Sequence, residues 1–191
     1  KRFEESNQPL LTFDICSHYG HESTSIVLEF LDNAMKKQPP APVMLFVTGN
    51  ALSNPKIRAA IEEASQYNHI SIQNHGFAHK PLSTTSGKEI YNVKGNSNVE
   101  DAYYEVAKGA ILTESITGKR PKYYRSSTLY ADSRGVKIAN MLGLEMLGRT
   151  KGHGDHQKSG KEQAGSIVLR HAKKPSSIKY LDDVRERIRQ G

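Results

Sequence analysis

The regular alternation of strand-like and helix-like segments constrains the fold of this chain more than any other feature. The continuous apolar run at residues 43–47 is typical of a strand covered on both faces of a sheet. Residues 54–64 follow it with an Asn-Pro start signal and apolar residues at helical spacing. Six such strand–helix units in series, joined by short links, predict a mostly parallel sheet covered by helices.

The predicted elements extend along almost the whole sequence. We expect strands near residues 9–14, 43–47, 69–72, 122–125, 144–147 and 166–171. Helices are expected to be capped by Ser23 or Thr24, by Asn54 and by Ser133, and to begin at Asn98 and at Ser176 or Ser177. The polar segments 83–98 and 149–165 are expected to be loops at the rim of a cleft. A length of 191 residues suits a single domain with a substantial core.

Composition narrows the classes of function. Lys and Arg total 27 against 20 acidic residues, a formal charge of +7, which favours an anionic partner such as a cell-wall polymer, a membrane surface or nucleic acid. The charge is spread along the chain and no nucleic-acid motif is present, so a solvated surface is the preferred interpretation.

No apolar run is long enough to predict a transmembrane segment. The single cysteine, Cys16, excludes an intrachain disulfide. Because no signal peptide precedes Lys1, we expect a processed or trimmed form.

Titratable residues stand at the ends of several predicted strands. Asp14, Arg125 and His171 each end a strand, and His75 and His79 follow the third one. Two imidazoles four residues apart share one face of a helical turn and can hold one divalent cation, although a capped helix with two surface histidines is the alternative. Because the carboxyl ends of parallel strands meet at one edge of a sheet, we expect these side chains to converge there.

Five blocks in this order resemble a known family. They are Leu11-Thr12-Phe13-Asp14, Phe46-Val47-Thr48-Gly49, Asn74-His75 through His79-Lys80-Pro81-Leu82, Tyr124-Arg125, and Gly165 through His171. The series resembles the polysaccharide deacetylase domain (NodB homology, carbohydrate esterase family 4) over roughly residues 10 to 190. The resemblance implies a distorted, incomplete (β/α) barrel forming a single domain over residues 1–191. Family domains usually continue into one more strand, so either the C-terminus is truncated or that strand is absent.

The resemblance also implies an activity and its residues. It implies a divalent metal, with zinc preferred, and removal of N- or O-linked acetyl groups from a carbohydrate polymer such as an N-acetylhexosamine glycan, in a secreted, periplasmic or cell-envelope protein. His75 and His79 would bind the metal, Asp14 would be the general base, and His171 the general acid. Arg125 would orient Asp14 with two parallel hydrogen bonds. A capping carboxylate, a surface ion pair and a buried structural histidine are the alternatives for Asp14, Arg125 and His171.

Two further residues would contact the substrate if the resemblance holds. Thr128 stands where the family has a tyrosine whose backbone N–H faces the oxyanion, and a backbone donor does not depend on the side chain. Leu169 would form the wall of the pocket for the acetyl methyl group. Asp155 is a candidate for the aspartate that tethers the acidic histidine.

The metal ligands depart from the family pattern. Ile15 replaces the second aspartate of the first block, and isoleucine cannot bind a cation. The third ligand would then be Asp14 itself, His18, His21 or water.

This loss leaves three hypotheses open. The chain is an active metal-dependent deacetylase with a reorganised ligand set, a glycan-binding protein that no longer hydrolyses, or a metal-independent hydrolase of the same superfamily acting on a small C–N substrate. Nucleic-acid binding, suggested only by charge, ranks last.

Overall fold

A curved six-stranded sheet organises the molecule, for which a computed structural model describes residues 8–16 and 21–191. Within those residues the strands are β1 (Leu10–Ile15), β2 (Val43–Val47), β3 (Ile70–Asn74), β4 (Glu89–Ile90), β5 (Val93–Lys94), β6 (Tyr123–Tyr124), β7 (Glu145–Met146) and β8 (Ile167–His171). The helices are α1 (His21–Lys36), α2 (Gly49–Leu52), α3 (Pro55–Ala64), α4 (Val99–Thr117), α5 (Ser133–Met141) and α6 (Pro175–Gln190).

The sheet has the strand order β7-β6-β3-β2-β1-β8, and all of its pairings are parallel. The strands therefore end at one common edge, where Asp14 of β1 is in register with His171 of β8. This arrangement confirms the predicted α/β fold of a distorted, incomplete barrel. Among the described helices, none is both long enough and apolar enough to cross a lipid bilayer.

Apolar side chains from the outer face of the sheet form the main core with α1, α3 and α6. Phe13 of β1 lies at its centre with no exposed surface, its ring centroid 4.7 Å from that of Phe30 in α1 and 6.4 Å from that of Tyr180 in α6. A second cluster joins α4 and α5 around Leu82 and Tyr124. Helices thus hold the strands from outside and leave the carboxyl edge open to loops.

Two helix starts were predicted correctly, and in both an asparagine side chain caps the first turn. Asn54 and Asn98 cap α3 and α4 as expected, through bonds from their side chains to backbone N–H groups. The prediction for α1 was wrong, since the helix begins at His21, before both Ser23 and Thr24. For α5 the cap is Asp132, whose carboxylate accepts from the Gly135 amide, so Ser133 is the first helical residue instead of the cap.

The last helix also starts earlier than expected. Pro175, and not Ser176 or Ser177, opens α6, where its fixed φ suits the first turn.

The segment 83–98 was predicted as a loop but contains the antiparallel hairpin of β4 and β5. Its two-residue turn consists of Tyr91 and Asn92, with φ of 50° and 60°. Left-handed geometry at both positions is what a tight hairpin requires. Strands of two residues are too short to show a period-two pattern in the sequence, which is why the hairpin was missed.

Replacing Phe13 with alanine should destabilise the protein by about 3–5 kcal/mol, because a buried ring is lost and the tightly packed strand and helices cannot fully close the cavity. Urea unfolding followed by circular dichroism measures this. Ile111, which is 67% exposed on α4, provides the control, since its replacement by alanine should change stability by less than about 0.5 kcal/mol. Equal effects of the two substitutions would contradict the described core.

Candidate active site

Loops and strand ends enclose a pocket of about 300 Å³ at the carboxyl edge of the sheet. Its lining residues are Asp14, His75, His79, Tyr91, Ser126, Thr128, Leu129, Arg149, Leu169 and His171. Six of the seven residues predicted for the site line this pocket. The seventh, Arg125, lies fully buried directly beneath Asp14. The sequence prediction that these side chains converge therefore agrees with the geometry.

Arg125 holds Asp14 with one charged hydrogen bond. The guanidinium Nη1 donates to Asp14 Oδ1 at 2.8 Å and to Thr12 Oγ1 at 2.7 Å. Its Nε and Nη2 donate to the carbonyls of Leu147 and Gly148 at 3.2 and 2.8 Å. The predicted pair of parallel bonds to the carboxylate is wrong, because the other guanidinium nitrogens are bonded to these backbone oxygens. Asp14 Oδ2 instead lies 3.6 Å from His75 Nε2.

The charge of Asp14 is set by two opposing effects. Burial alone would raise the pKa of Asp14, but the positive Arg125, helped by His75 and His171, holds that pKa below its usual value. The carboxylate is therefore ionised near neutral pH. It can accept a proton through Oδ2, since Oδ1 is already engaged by Arg125.

His75 and His79 do not lie on a helix, contrary to the prediction. The segment after β3 is an irregular turn in which Gly76 and His79 both have left-handed φ, of 83° and 58°. The turn is held from outside by α2, whose Gly49 and Asn50 amides donate to the carbonyls of Gly76 and Phe77 at 2.9 and 2.8 Å. The ring centroids of the two histidines nevertheless lie 5.1 Å apart, so the turn brings them together as a helical turn would.

The buried carboxylate of Glu105, on α4, supports this turn and was missed by sequence reasoning. Its oxygens accept the amides of Ala78 at 2.9 Å and Lys80 at 3.0 Å. Gly76 allows this close approach, because a Cβ at that position would meet Glu105 Oε1 at 2.6 Å. An acid on the otherwise apolar face of the predicted helix containing Ala102 and Val106 was the available sequence signal.

The hydrogen bonds of His75 determine which ring nitrogen faces the pocket. Its Nδ1 lies 2.7 Å from the carbonyl oxygen of Arg125, which can only accept, so Nδ1 carries the proton and the lone pair is on Nε2. Burial lowers the pKa of His75, and it lowers that of His79 to about 4. Both rings are thus neutral near pH 7, the form in which imidazole binds a metal.

Cys16 joins this group, and the sequence analysis did not consider it as a ligand. Its Sγ lies 3.6 Å from His75 Nε2, and the ligand atoms of Cys16, His75 and His79 all fall within 4.8 Å of one another. Burial raises the pKa of the Cys16 thiol well above its usual range. Two of the predicted third ligands cannot be compared with it, since His18 and the side chain of His21 lie outside the described residues.

His171 is tethered by Asp155, as the resemblance suggested. Asp155 Oδ2 lies 2.8 Å from His171 Nδ1, and Oδ1 accepts the His171 amide at 2.9 Å. Lys174 Nζ lies 3.0 Å from the same Oδ2. Burial opposes ionisation of Asp155, but these bonds hold its pKa well below the usual range. The carboxylate therefore accepts a hydrogen bond from the Nδ1–H of His171, and this bond fixes the orientation of the ring.

Thr128 and Leu169 line the pocket as predicted. Thr128 lies in a short 3-10 turn (Ser127–Leu129) with a left-handed φ of 58°. Such backbone geometry is uncommon for a β-branched residue and is often found at functional sites.

Replacing Glu105 with alanine should weaken both the fold and metal binding at the histidine turn. Two partly buried amides would lose their acceptors, which costs up to about 1–3 kcal/mol each. A contact that supports a metal ligand is typically worth about 10- to 100-fold in metal affinity. Chemical unfolding and zinc titration measure the two effects. Glu105→Gln, which keeps one acceptor oxygen, should lose less, and Glu100→Ala, at an exposed site on the same helix, should match the wild type. Unchanged zinc affinity in Glu105→Ala would contradict the supporting role.

Acid should destabilise the metal-free protein through His79. Unfolded histidine titrates near 6.5 and folded His79 near 4, so as the pH falls the unfolded state binds the proton first. The stabilisation is present above pH 6.5 and is lost toward pH 4, by on the order of 2 kcal/mol once the partial exposure of the ring is considered. Urea unfolding in a chelator at neutral and acid pH measures the loss. The His79→Gln variant should show a shallower pH dependence, and an equal dependence would refute the assignment.

Comparison with known sequences and structures shows which proteins this chain is similar to. A comparison with curated sequences finds no match. A carbohydrate esterase family 4 pseudoenzyme from Bacillus anthracis superposes with a TM-score of 0.71 at 18% identity, covering 98% of this chain and 63% of its own. The chain thus spans less than two thirds of that relative.

Two further structures share the fold. The peptidoglycan deacetylase PdaC from Bacillus subtilis has a TM-score of 0.65 at 15% identity, covering 98% of this chain and 86% of its own. A family 4 carbohydrate esterase from Streptomyces lividans, in complex with acetate, has a TM-score of 0.66 at 15% identity, covering 97% and 90%. The family model described as polysaccharide deacetylase matches residues 4–147, which is most of the sequence, and the chain therefore belongs to the polysaccharide deacetylase family.

Proposed function

We propose that this protein is a metal-dependent hydrolase that removes acetyl groups from a carbohydrate polymer such as an N-acetylhexosamine glycan. The observation that carries the proposal is the convergence of Asp14, His75, His79 and His171 on one pocket, where Arg125 holds the Asp14 carboxylate and Asp155 holds Nδ1 of His171. Family membership supports it, as do a peptidoglycan deacetylase and an acetate complex among proteins of the same fold.

The residues present fit a divalent cation. The lone pair of His75 Nε2 is directed into the site, 3.6 Å from Asp14 Oδ2, so a nitrogen donor and a nearby negative charge both favour a cation there. His79 adds a second neutral imidazole, and nitrogen-rich sets of this type suit zinc. When bound, the cation would polarise the acetyl carbonyl and make water a better nucleophile.

Asp14 acts as the general base in this proposal. Its Oδ2 is the oxygen that Arg125 leaves available, so it takes the proton from the attacking water. The lowered pKa of Asp14 keeps it anionic at neutral pH, ready to accept. Because Arg125 is rigidly bonded on all sides, the carboxylate does not have to reorient during the reaction.

His171 acts as the general acid. In this role the ring carries a proton on each nitrogen: Asp155 holds the Nδ1 proton, and the Nε2 proton passes to the departing amine or alcohol. The backbone N–H of Thr128 is proposed to stabilise the oxyanion, and Leu169 to contact the acetyl methyl group. Both residues line the same pocket as the acid and the base.

The rim of the pocket suits a sugar chain. Tyr91, at the tip of the β4–β5 hairpin, is 86% exposed beside the pocket, and an exposed aromatic ring offers an apolar face to a pyranose. Because polymers of N-acetylhexosamine lie outside the cytoplasm, we infer a secreted, periplasmic or cell-envelope location.

Loss of hydrolysis with retained glycan binding is the second candidate function. It is favoured by Ile15, which is fully buried in the core where the family has a metal-binding acid, and by the pseudoenzyme among the proteins of the same fold. A metal-independent hydrolase would instead keep its activity in a chelator. Nucleic-acid binding would show a steep loss of affinity with salt and no preference for sugars.

Acetate release from N-acetylglucosamine oligomers tests the proposal. The wild type should release acetate, lose that activity in a chelator and regain it on addition of zinc. His171→Ala should lower kcat by about 10²- to 10⁴-fold, because proton transfer to the leaving group is lost. His156→Ala, at an exposed histidine of the loop that carries Asp155, is the control and should retain full activity. Acetate release that is unchanged in His171→Ala would remove the proposed acid.

Failure of the wild type to release acetate distinguishes the remaining candidates. Binding of the same oligomers without hydrolysis would establish the glycan-binding protein. Hydrolysis that survives the chelator would establish the metal-independent enzyme.

A further inference from the structure

We infer that Cys16 is the third protein ligand of the metal, giving a sulfur and two nitrogen donors in place of the oxygen and two nitrogens expected of the family. The inference rests on the proposed use of His75 and His79 as a metal-binding pair. It adds a ligand that neither the resemblance nor the sequence pattern identified. It also frees Asp14 from binding the metal.

Strand geometry places the sulfur on the correct side of the sheet. Side chains alternate along a strand, so residues 14 and 16 share one face and residue 15 takes the other. Ile15 accordingly lies in the core with no exposed surface, while Asp14 and Cys16 face the histidines. The side chain of Ile15 is buried away from the pocket, and in this proposal the next residue, Cys16, binds the metal instead.

The distance between Cys16 and His75 matches a shared zinc ion. For Zn–S and Zn–N bonds of about 2.3 and 2.05 Å at a tetrahedral angle, the two ligand atoms should be about 3.6 Å apart. The measured separation of Cys16 Sγ and His75 Nε2 is 3.6 Å. All three ligand atoms of Cys16, His75 and His79 also lie within 4.8 Å of one another, so one ion can contact them together.

Surrounding contacts fix these ligands in advance. The Arg125 carbonyl holds His75 Nδ1 and leaves the Nε2 lone pair directed toward the sulfur. At Cys16, the backbone carbonyl accepts the Thr48 hydroxyl, while the Thr48 amide donates to the Ile15 carbonyl at 3.1 Å. The Thr48 bonds fix the backbone that carries the sulfur, and a hydrogen-bonded Nδ1 of this kind is typical of metal-binding histidines.

A thiolate ligand changes the expected metal preference and the role of Asp14. Soft sulfur with imidazole favours zinc over harder ions such as Mg²⁺ or Mn²⁺. With three protein ligands supplied by Cys16, His75 and His79, the fourth position stays open, as catalytic zinc sites require. Asp14 Oδ2 remains available for the proton of the attacking water.

Titration of the protein, first freed of metal with a chelator, with cobalt(II) tests the ligand directly. Wild-type protein should develop an intense thiolate-to-cobalt charge-transfer band in the near ultraviolet. Cys16→Ser and Cys16→Asp should lack this band, while Cys16→Asp retains the visible bands of bound cobalt. Zinc affinity should fall in Cys16→Ser by more than the roughly 10- to 100-fold typical of residues that only support a ligand. In Cys16→Asp the preference should shift toward manganese.

Separate outcomes identify which claim fails. Cobalt binding without the charge-transfer band, together with equal zinc affinity in wild type and Cys16→Ser, would overturn the ligand role and leave the deacetylase proposal standing. Wild-type protein that binds no metal would overturn both. Cys16→Ala serves as a second variant, and far-ultraviolet circular dichroism of the chelated proteins confirms that each is folded before its affinity is compared.

Discussion

The buried guanidinium of Arg125 is the interaction on which the site depends. Its side chain bonds Asp14 and Thr12 of β1 and the carbonyls that follow β7, while its backbone amide extends the pairing with β3 by donating to the Asn74 carbonyl. A buried charge is costly unless it is paired, and the Asp14 carboxylate provides the compensation. Its stacking over the Phe46 ring, 4.1 Å from guanidinium carbon to centroid, adds an attractive contact.

This single residue couples the two halves of the proposed chemistry. Through its guanidinium it sets the charge and orientation of Asp14, and through its carbonyl it sets the tautomer of His75. The proposed base and the proposed metal ligand are therefore both bonded to one buried residue at the end of β6. Neither can move without disturbing the other, which is the condition under which an active site holds its geometry through a reaction.

The departure at Ile15 illustrates how a parallel sheet distributes functional roles. Because side chains alternate along β1, residue 15 points into the core, where an apolar side chain packs favourably. Any ligand contributed by this strand end must come from the positions on the other face, where Asp14 and Cys16 lie. If the cysteine binds the metal, the replacement moves the ligand by one residue and preserves the carboxylate for proton transfer.

Local signals account for what could be predicted at the level of the fold. The periodic patterns predict the succession of strands and helices along the chain, and Asn54 and Asn98 predict two helix starts. Periodicity and capping each depend only on residues close together in the sequence. The α1 start and the two-residue strands β4 and β5 escaped because they carry no such local signal in the sequence.

The sequence by itself determined the fold class and which strand ends carry titratable groups, since strand periodicity and parallel connection already place those ends at one edge. Only the tertiary structure decided the partners across the site. The bonds of Cys16 with His75 and of His75 with Arg125 join residues 59 and 50 positions apart, and the support of the histidine turn by Glu105 depends on how closely α4 packs. Such contacts are set by the distances between packed elements, and no local pattern encodes those distances.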